Sequence, residues 1–400
     1  MNCSIRSRRF RALTSVLLGA AVCGVVTPRT FAAPESPANT ARPDGQHAAP
    51  NAAVEYWQAF AELPPMDEQQ RAIAENAATA NLNPAAIHLI EASANSLKQL
   101  HRGAAIRECD WGLHHEDGMM LLLPHLSKAR DLSRLACLRA RAEFQKGDAA
   151  GAAEDLADAL TLARHGGQDA TLIAILVQDA IEQMTINTAA ANLSGVKSPA
   201  LQGFSNRLGQ LPPGGSLKES ATGIERQFGL DWLIDQLKSV KPDENWQDRI
   251  AGIIGAGEGT PTLQDLIKSS GGDVQNVIKR LEASRPYYEQ MLPLFDLPPE
   301  QFHPRAEALY KQFATDPWGK MMLPDYTKVY DKHMSAEVRL AMLRAAVAMQ
   351  EGGPNALKNS KDPVGGAAFE YHTTPNGFEL RSKLTVDGKP VTLTVGPTGS

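Results

Sequence analysis

The apolar residues of this 400-residue chain recur at helical intervals from Asn51 to about residue 350, and at about residue 363 their period changes to two. A helix returns side chains to one face every three or four residues, whereas a strand does so every second residue. Val54, Trp57 and Ala61 share one helical face, as do Ile87, Ile90, Ala94 and Leu97. Breaks fall at Pro64-Pro65, Asn83-Pro84, Gly166-Gly167, Pro212-Pro213-Gly214-Gly215, Gly271-Gly272 and Pro298-Pro299. Beyond residue 363, Phe369 and Tyr371, Phe378 and Leu380, Leu384 and Val386, and Val391, Leu393 and Val395 alternate between turn signals at Pro375-Asn376-Gly377 and Asp387-Gly388. The expected fold is mainly α, a multi-helix array or bundle with a small C-terminal antiparallel β meander. So small a meander needs the last helices to cover one of its faces, which makes it a cap.

Residues 1–32 read as a signal peptide outside the fold. Arg6, Arg8, Arg9 and Arg11 form a basic start, Ala12 to Val26 is apolar, and Thr30-Phe31-Ala32 offers small residues for cleavage. Ser7-Arg8-Arg9-Phe10 and Cys23 bring a twin-arginine signal and a lipoprotein site to mind. Phe10 falls one place early for the first, and Val22 is bulky for the second, so ordinary export to the periplasm or the medium is the expectation. Residues 33–50 are rich in proline, alanine and small polar residues and read as a flexible tether. Residues 51–362 form the helical domain, with a candidate internal break near 212–215 and a second glycine-rich place at 252–259, and residues 363–400 form the strand-bearing tail.

Cleavage after residue 32 removes five arginines and no acid, so the formal charge moves from -5 to -10. That excludes the basic footprint of a nucleic-acid-binding protein. No stretch after the signal is long and apolar enough to span a membrane, so the mature chain should be soluble. Two cysteines, Cys109 and Cys137, outlast the signal; the sequence leaves open whether they form a disulfide or stay as two thiols. Within the helical domain, residues 169–191 carry apolar side chains around most of the circumference, which predicts a central, buried helix.

Residues 131–165 resemble a helical hairpin of the tetratricopeptide kind, with Ala140, Gly147, Ala152, Leu156, Ala159 and Leu160 at its small and packing positions. No second copy follows at that repeat's spacing, so one hairpin inside a larger bundle is the competing reading. More widely, NAAVEYWQAFAELPP from Asn51, CDWG at Cys109 to Gly112, LLPHLSKARDLSRLACLRARAEF and KDPVGGAAFEYHTTPNGFELRS are similar to a group of uncharacterised exported bacterial helical proteins. That resemblance implies a helical fold with a strand-rich tail and export, and it brings no activity or site residue.

The densest set of potential ligands is Cys109, Asp110, His114, His115, Glu116 and Asp117. Thiolate, imidazole and carboxylate suit zinc, and Cys109, His114 and Glu116 would be its first ligands. Adjacent histidines diverge in any regular element, however, and no HExxH or CxxC supplies the others, so a polar loop anchored by Trp111 accounts for the same residues. Cys109 lies between Glu108 and Asp110, which oppose a reactive thiolate. Ser194 and Lys197 spell Ser-x-x-Lys at what reads as a helix end, without the partner motifs of serine acyltransferases. Glu154, Asp155 and Asp158 read as a solvated helix face, and His165 as a cation at a helix end. Tyr56, Trp57, Phe60, Tyr287 and Tyr288 read as core.

Taken together, these features point to an exported helical protein that binds a protein or peptide as a scaffold, with no cofactor and no metal expected. An exported hydrolase or metalloenzyme using residues 109–117 is the alternative, and a structural component of the envelope is a third.

Overall fold

Asn51 caps α1 (Ala52–Ala61), its side chain accepting from the Ala53 amide. The same residue clasps a distant loop: its amide donates to the Asp110 carbonyl at 2.8 Å and its oxygen accepts from the Asp110 N–H at 2.9 Å. The computed structural model describes residues 49–253 and 262–397. Residues 1–32, read above as a signal peptide, nearly all of residues 33–50, read as a tether, and most of the second glycine-rich stretch lie outside the described residues. Helices α2 (Glu68–Glu75), α3 (Pro84–Ala92) and α4 (Ala94–Ala104) lead to the longer α5 (Pro124–Lys146), α6 (Ala149–Gly167), α7 (Leu172–Asn192) and α8 (Ser198–Gly209). Then come α9 (217–238), α10 to α15 (Trp246–Ile253, Leu263–Ser269, Val274–Glu282, Arg285–Met291, Pro299–Phe313, Pro317–Met322) and α16 (Tyr326–Gly352). The chain closes with β1 (Glu370–Thr374), β2 (Gly377–Val386) and β3 (Lys389–Val395), an antiparallel meander in the order β1-β2-β3.

The hairpin α5–α6 forms where small residues let two helices approach. Ala140, Ala152 and Ala159 are fully enclosed, and Gly147 makes the reversal at φ +83°, a conformation glycine adopts without strain, before Asp148 caps α6. The hairpin does not present a groove, because α6 is surrounded by α4, α5, α7 and α8 and nearly all of its side chains are buried. The enclosed helix is therefore α6 rather than α7. On α7 Ile173 is 61% exposed, while Gln178, Asp179, Glu182, Thr185 and Thr188 face inward. Apolar content around a helix marks burial only where the neighbours offer apolar surface, and along Gln178–Glu182 the neighbours Arg164 and His333 offer charge.

Two apolar clusters share the molecule. One joins α1–α8, the C-terminal half of α16 and the sheet, and is built largely from alanine and leucine; the other joins α9–α15 to the start of α16 and is rich in aromatics, with Tyr287, Tyr288, Phe302 and Trp318 enclosed. Along the chain they change over between Leu211 and Leu217, across Pro212–Gly215. The sheet lays Phe378, Leu380, Leu384, Val391, Leu393 and Val395 onto α7 and α16. Asp387 at φ +51° and Gly388 at φ +72° make the tight β2–β3 turn. Tyr371 on the outer strand stays 40% exposed.

Candidate functional site

The C-terminal half of α6 supplies the side chains around which several elements are pinned. His165 Nδ1 lies 2.9 Å from the Tyr56 hydroxyl, and Nε2 lies 3.2 Å from the Arg107 carbonyl. A carbonyl only accepts, so Nε2 carries the proton and Nδ1 accepts from Tyr56. Burial pushes the ring's pKa down to about 4, against the opposing pull of the Arg107 carbonyl and Glu108. His165 is thus a neutral pin between α1, α4 and α6 rather than the helix-end cation its position suggested. Its own carbonyl accepts from Trp111 Nε1 at 3.0 Å, and Trp111 stacks on Tyr56, Phe60 and His125.

Over this pin lies a cleft of about 400 Å³ lined by the end of α4 and the segment after it (Ala104–Arg107), by Thr161 and His165 of α6, by Arg207 and by Gln210–Pro213. Arg207 is engaged by Asp158 at 2.6 Å, whose other oxygen takes His101 at 2.8 Å. Arg107, by contrast, has no ion-pair partner among the described residues. The acidic face expected to be solvated is mostly interior: Asp158 is 1% and Asp155 3% exposed, Asp155 is held by Arg139 at 2.6 Å, and only Glu154 faces water. Buried carboxylates persist because guanidinium forks from neighbouring helices meet them.

The residues singled out as ligands are not gathered. His114 and Glu116 pair at 3.0 Å on the surface, each about three-quarters exposed, while Cys109 is half-buried. Among the described residues no three His, Cys, Asp or Glu side chains are grouped to hold a metal ion. Burial, with Asp169 and Asp110, pushes the Cys109 thiol up to about 12, so it is a protonated thiol at neutral pH. Cys109 and Cys137 are both free; Cys137 is buried beside Thr185 at 3.6 Å, and burial pushes it up to about 11. Ser194 and Lys197 lie beyond the end of α7, where Gly195 turns the chain at φ +83°, so no helical face brings them together. Tyr56, Phe60, Tyr287 and Tyr288 are core, but Trp57 is 38% exposed.

A second polar constellation was not anticipated from the sequence. Arg164 reaches from α6 to Glu182 of α7 at 2.9 Å, to Glu337 of α16 at 2.7 Å and to the Pro212 carbonyl at 3.3 Å. Gln178 donates to Glu182 at 3.1 Å and accepts from the Gly215 amide at 2.8 Å, and His333 meets Asp179 at 3.1 Å. Burial lifts Glu182 to about 7 against the pull of Arg164. For His333 burial disfavours the charged ring, but the Asp179 hydrogen bond and charge outweigh it and hold the pKa above its ordinary value. The layer sits where the two apolar clusters meet, with Ile175 and Tyr330 on one side and Ile181 and Val338 on the other. Its available signal was the set Gln178, Asp179 and Glu182, three polar residues within five positions directly after the apolar run Leu172–Val177.

Comparison with protein-family models, with curated proteins and with solved structures finds no match for this chain. No described helix is long and apolar enough to cross a membrane.

Proposed function

We propose that this protein is an exported helical binding protein that holds a protein or peptide segment at the cleft over His165, with Arg107 as the contact for a carboxylate of the bound segment. The observation that carries this reading is a contrast within the site. His165 has both ring nitrogens occupied, and Arg207 and Asp158 are paired, whereas Arg107 lines the cleft without an acid of its own. An unpaired guanidinium is a fork for carboxylate recognition. Of the hairpin α5–α6 only Thr161 and His165 of α6 line this cleft, so the tetratricopeptide resemblance adds nothing to the binding proposal. Export rests on the arginine-rich start and the apolar run of residues 1–32.

The test is native mass spectrometry of the chain recovered gently from its host's envelope or medium. A stoichiometric peptide or protein retained by the wild type and lost in Arg107→Glu supports the proposal. A bare chain, or a companion retained equally by the variant, refutes it; a mass excess removed by a chelator would instead revive the metalloenzyme alternative at Cys109, His114 and Glu116.

A further inference from the structure

β3 is an outer strand of the sheet, paired with β2 along one edge. Its other edge is joined to α7 by a single backbone hydrogen bond among the described residues, from Gly396 N–H to the Ala190 carbonyl at 2.9 Å, just past the strand's end. Beside that edge lies a cavity of about 340 Å³, and a second of about 320 Å³, which touches no strand, adjoins it through Ala78, Thr79 and Asn187 and continues it along α7. Together they follow α7 from Ala180 to Ala191, about 16 Å at 1.5 Å per residue, which is the length of roughly five residues of extended chain. Thr392, Leu393 and Thr394 of β3 form the far wall.

Arg339 of α16 lines the same groove and has no acidic partner among the described residues; its Nε is buried without a hydrogen bond. Burial alone acts on it, lowering its pKa from the usual arginine value. Glu75, at the other end of the groove, is already met by Arg134 at 3.2 Å. At its β3 end the groove therefore offers both the unpaired ladder groups of Thr392–Thr394 and one unsatisfied cation, Arg339. A strand edge beside a helix is how extended peptides are captured by strand addition, with the backbone ladder giving affinity and a pocket giving selectivity.

We infer that the β3–α7 groove binds an extended peptide that adds as a fourth strand to β3 and places a carboxylate, from an acidic side chain or from its own C-terminus, on Arg339. This surface is separate from the cleft at Arg107 and does not depend on it.

The test uses the full chain and fluorescein-labelled, threonine- and valine-rich decapeptides in four forms: neutral with an amidated end, neutral with a free C-terminus, amidated with an internal glutamate, and amidated with an internal lysine. Anisotropy titrations should show a carboxylate-bearing form binding about tenfold or more tightly than the neutral amide, the favoured form naming the carboxylate's source. Arg339→Gln should erase that preference and Arg339→Lys should keep part of it, with unchanged thermal unfolding showing that both fold. N-methylation of alternate peptide amides should abolish binding in one register and spare it in the other, as a one-sided ladder requires. Equal binding of all four forms, binding indifferent to Arg339→Gln or to both methylation registers, or no binding at all would overturn the inference. Arg107→Glu should bind these peptides as the wild type does. If that variant alone loses the host's companion while the decapeptides fail, the cleft reading survives and this one falls.

Discussion

His165 and His333 are both largely withdrawn from water, yet their pKa values move in opposite directions. Around His165 the neighbours are a hydroxyl, a carbonyl and aromatic rings, so burial outweighs the opposing pull of the Arg107 carbonyl and Glu108 and the pKa falls to about 4. Around His333 stand Asp179, Glu182 and Glu337, whose charge reverses the effect of burial. Burial sets the sign of a shift only where no charge of the right kind stands close by. The two regions consequently respond to pH in opposite directions, although both tie α6 or α7 to the rest of the molecule.

The largest effect should come from breaking the charged region at its centre. Arg164→Met removes the guanidinium bonded to Glu182 and leaves a buried carboxyl group without its cation, so stability in denaturant titration should fall by about 3–5 kcal/mol. An unchanged midpoint would show that the layer is not an ionic lock.

The opposed pH responses come next. His165 binds its proton less readily when folded, so between pH 6.5 and about 4 the unfolded chain takes up protons the folded one refuses, and stability should fall as pH falls by up to about 3 kcal/mol. Glu182 has the reverse sign. Its folded pKa is raised to about 7, so its contribution is complete below the ordinary carboxylate value of 4.5 and is lost as pH rises towards 7. Between pH 4.5 and 6.5 the contributions of His165 and Glu182 therefore oppose each other. Glu182→Gln should tilt the pH profile of stability, making the protein visibly more acid-labile relative to its value at pH 7. Thermal melts across that window check this, and a tilt in the other direction would contradict the assignment.

Tyr56→Phe is a smaller cut at the neutral pin. It leaves the buried Nδ1 of His165 without a donor, and the expected cost is about 1–3 kcal/mol with a partial rise in the His165 pKa, readable by NMR titration. Smallest of all should be His333→Gln, since the ring is already bonded at the edge of the layer. It should remove stability present below pH 6.5 that the wild type loses as pH rises through the raised pKa of His333, flattening the alkaline side of the profile and leaving the acid side as it was.

The helical period, the breaks at proline and glycine, and the change to alternation near residue 363 are local properties, and the observed elements follow them closely. Asn51 before α1, Gly147-Asp148 between α5 and α6, and Asp387-Gly388 between β2 and β3 each act through backbone geometry within a few residues, so they can be read without knowing what packs against them. Trp111 as the anchor of the 109–117 loop was legible in the same way, as the largest apolar residue in a mostly polar run.

What each helix faces was not legible. Asp155 and Asp158 look solvated on α6, and the apolar side chains of α7 look buried, until Arg139, Arg207 and His101 arrive from α5, α8 and α4 and Arg164 from α6. His165 looks like a helix-end cation until Tyr56, 109 residues earlier, meets its ring. The sequence by itself determined where the chain is helical, where it turns and where strands begin, because those depend on short-range backbone sterics and periodicity. Only the tertiary structure decided which polar groups lie inside and which carry charge, because desolvation and Coulomb energies depend on partners that the chain brings together from distant positions.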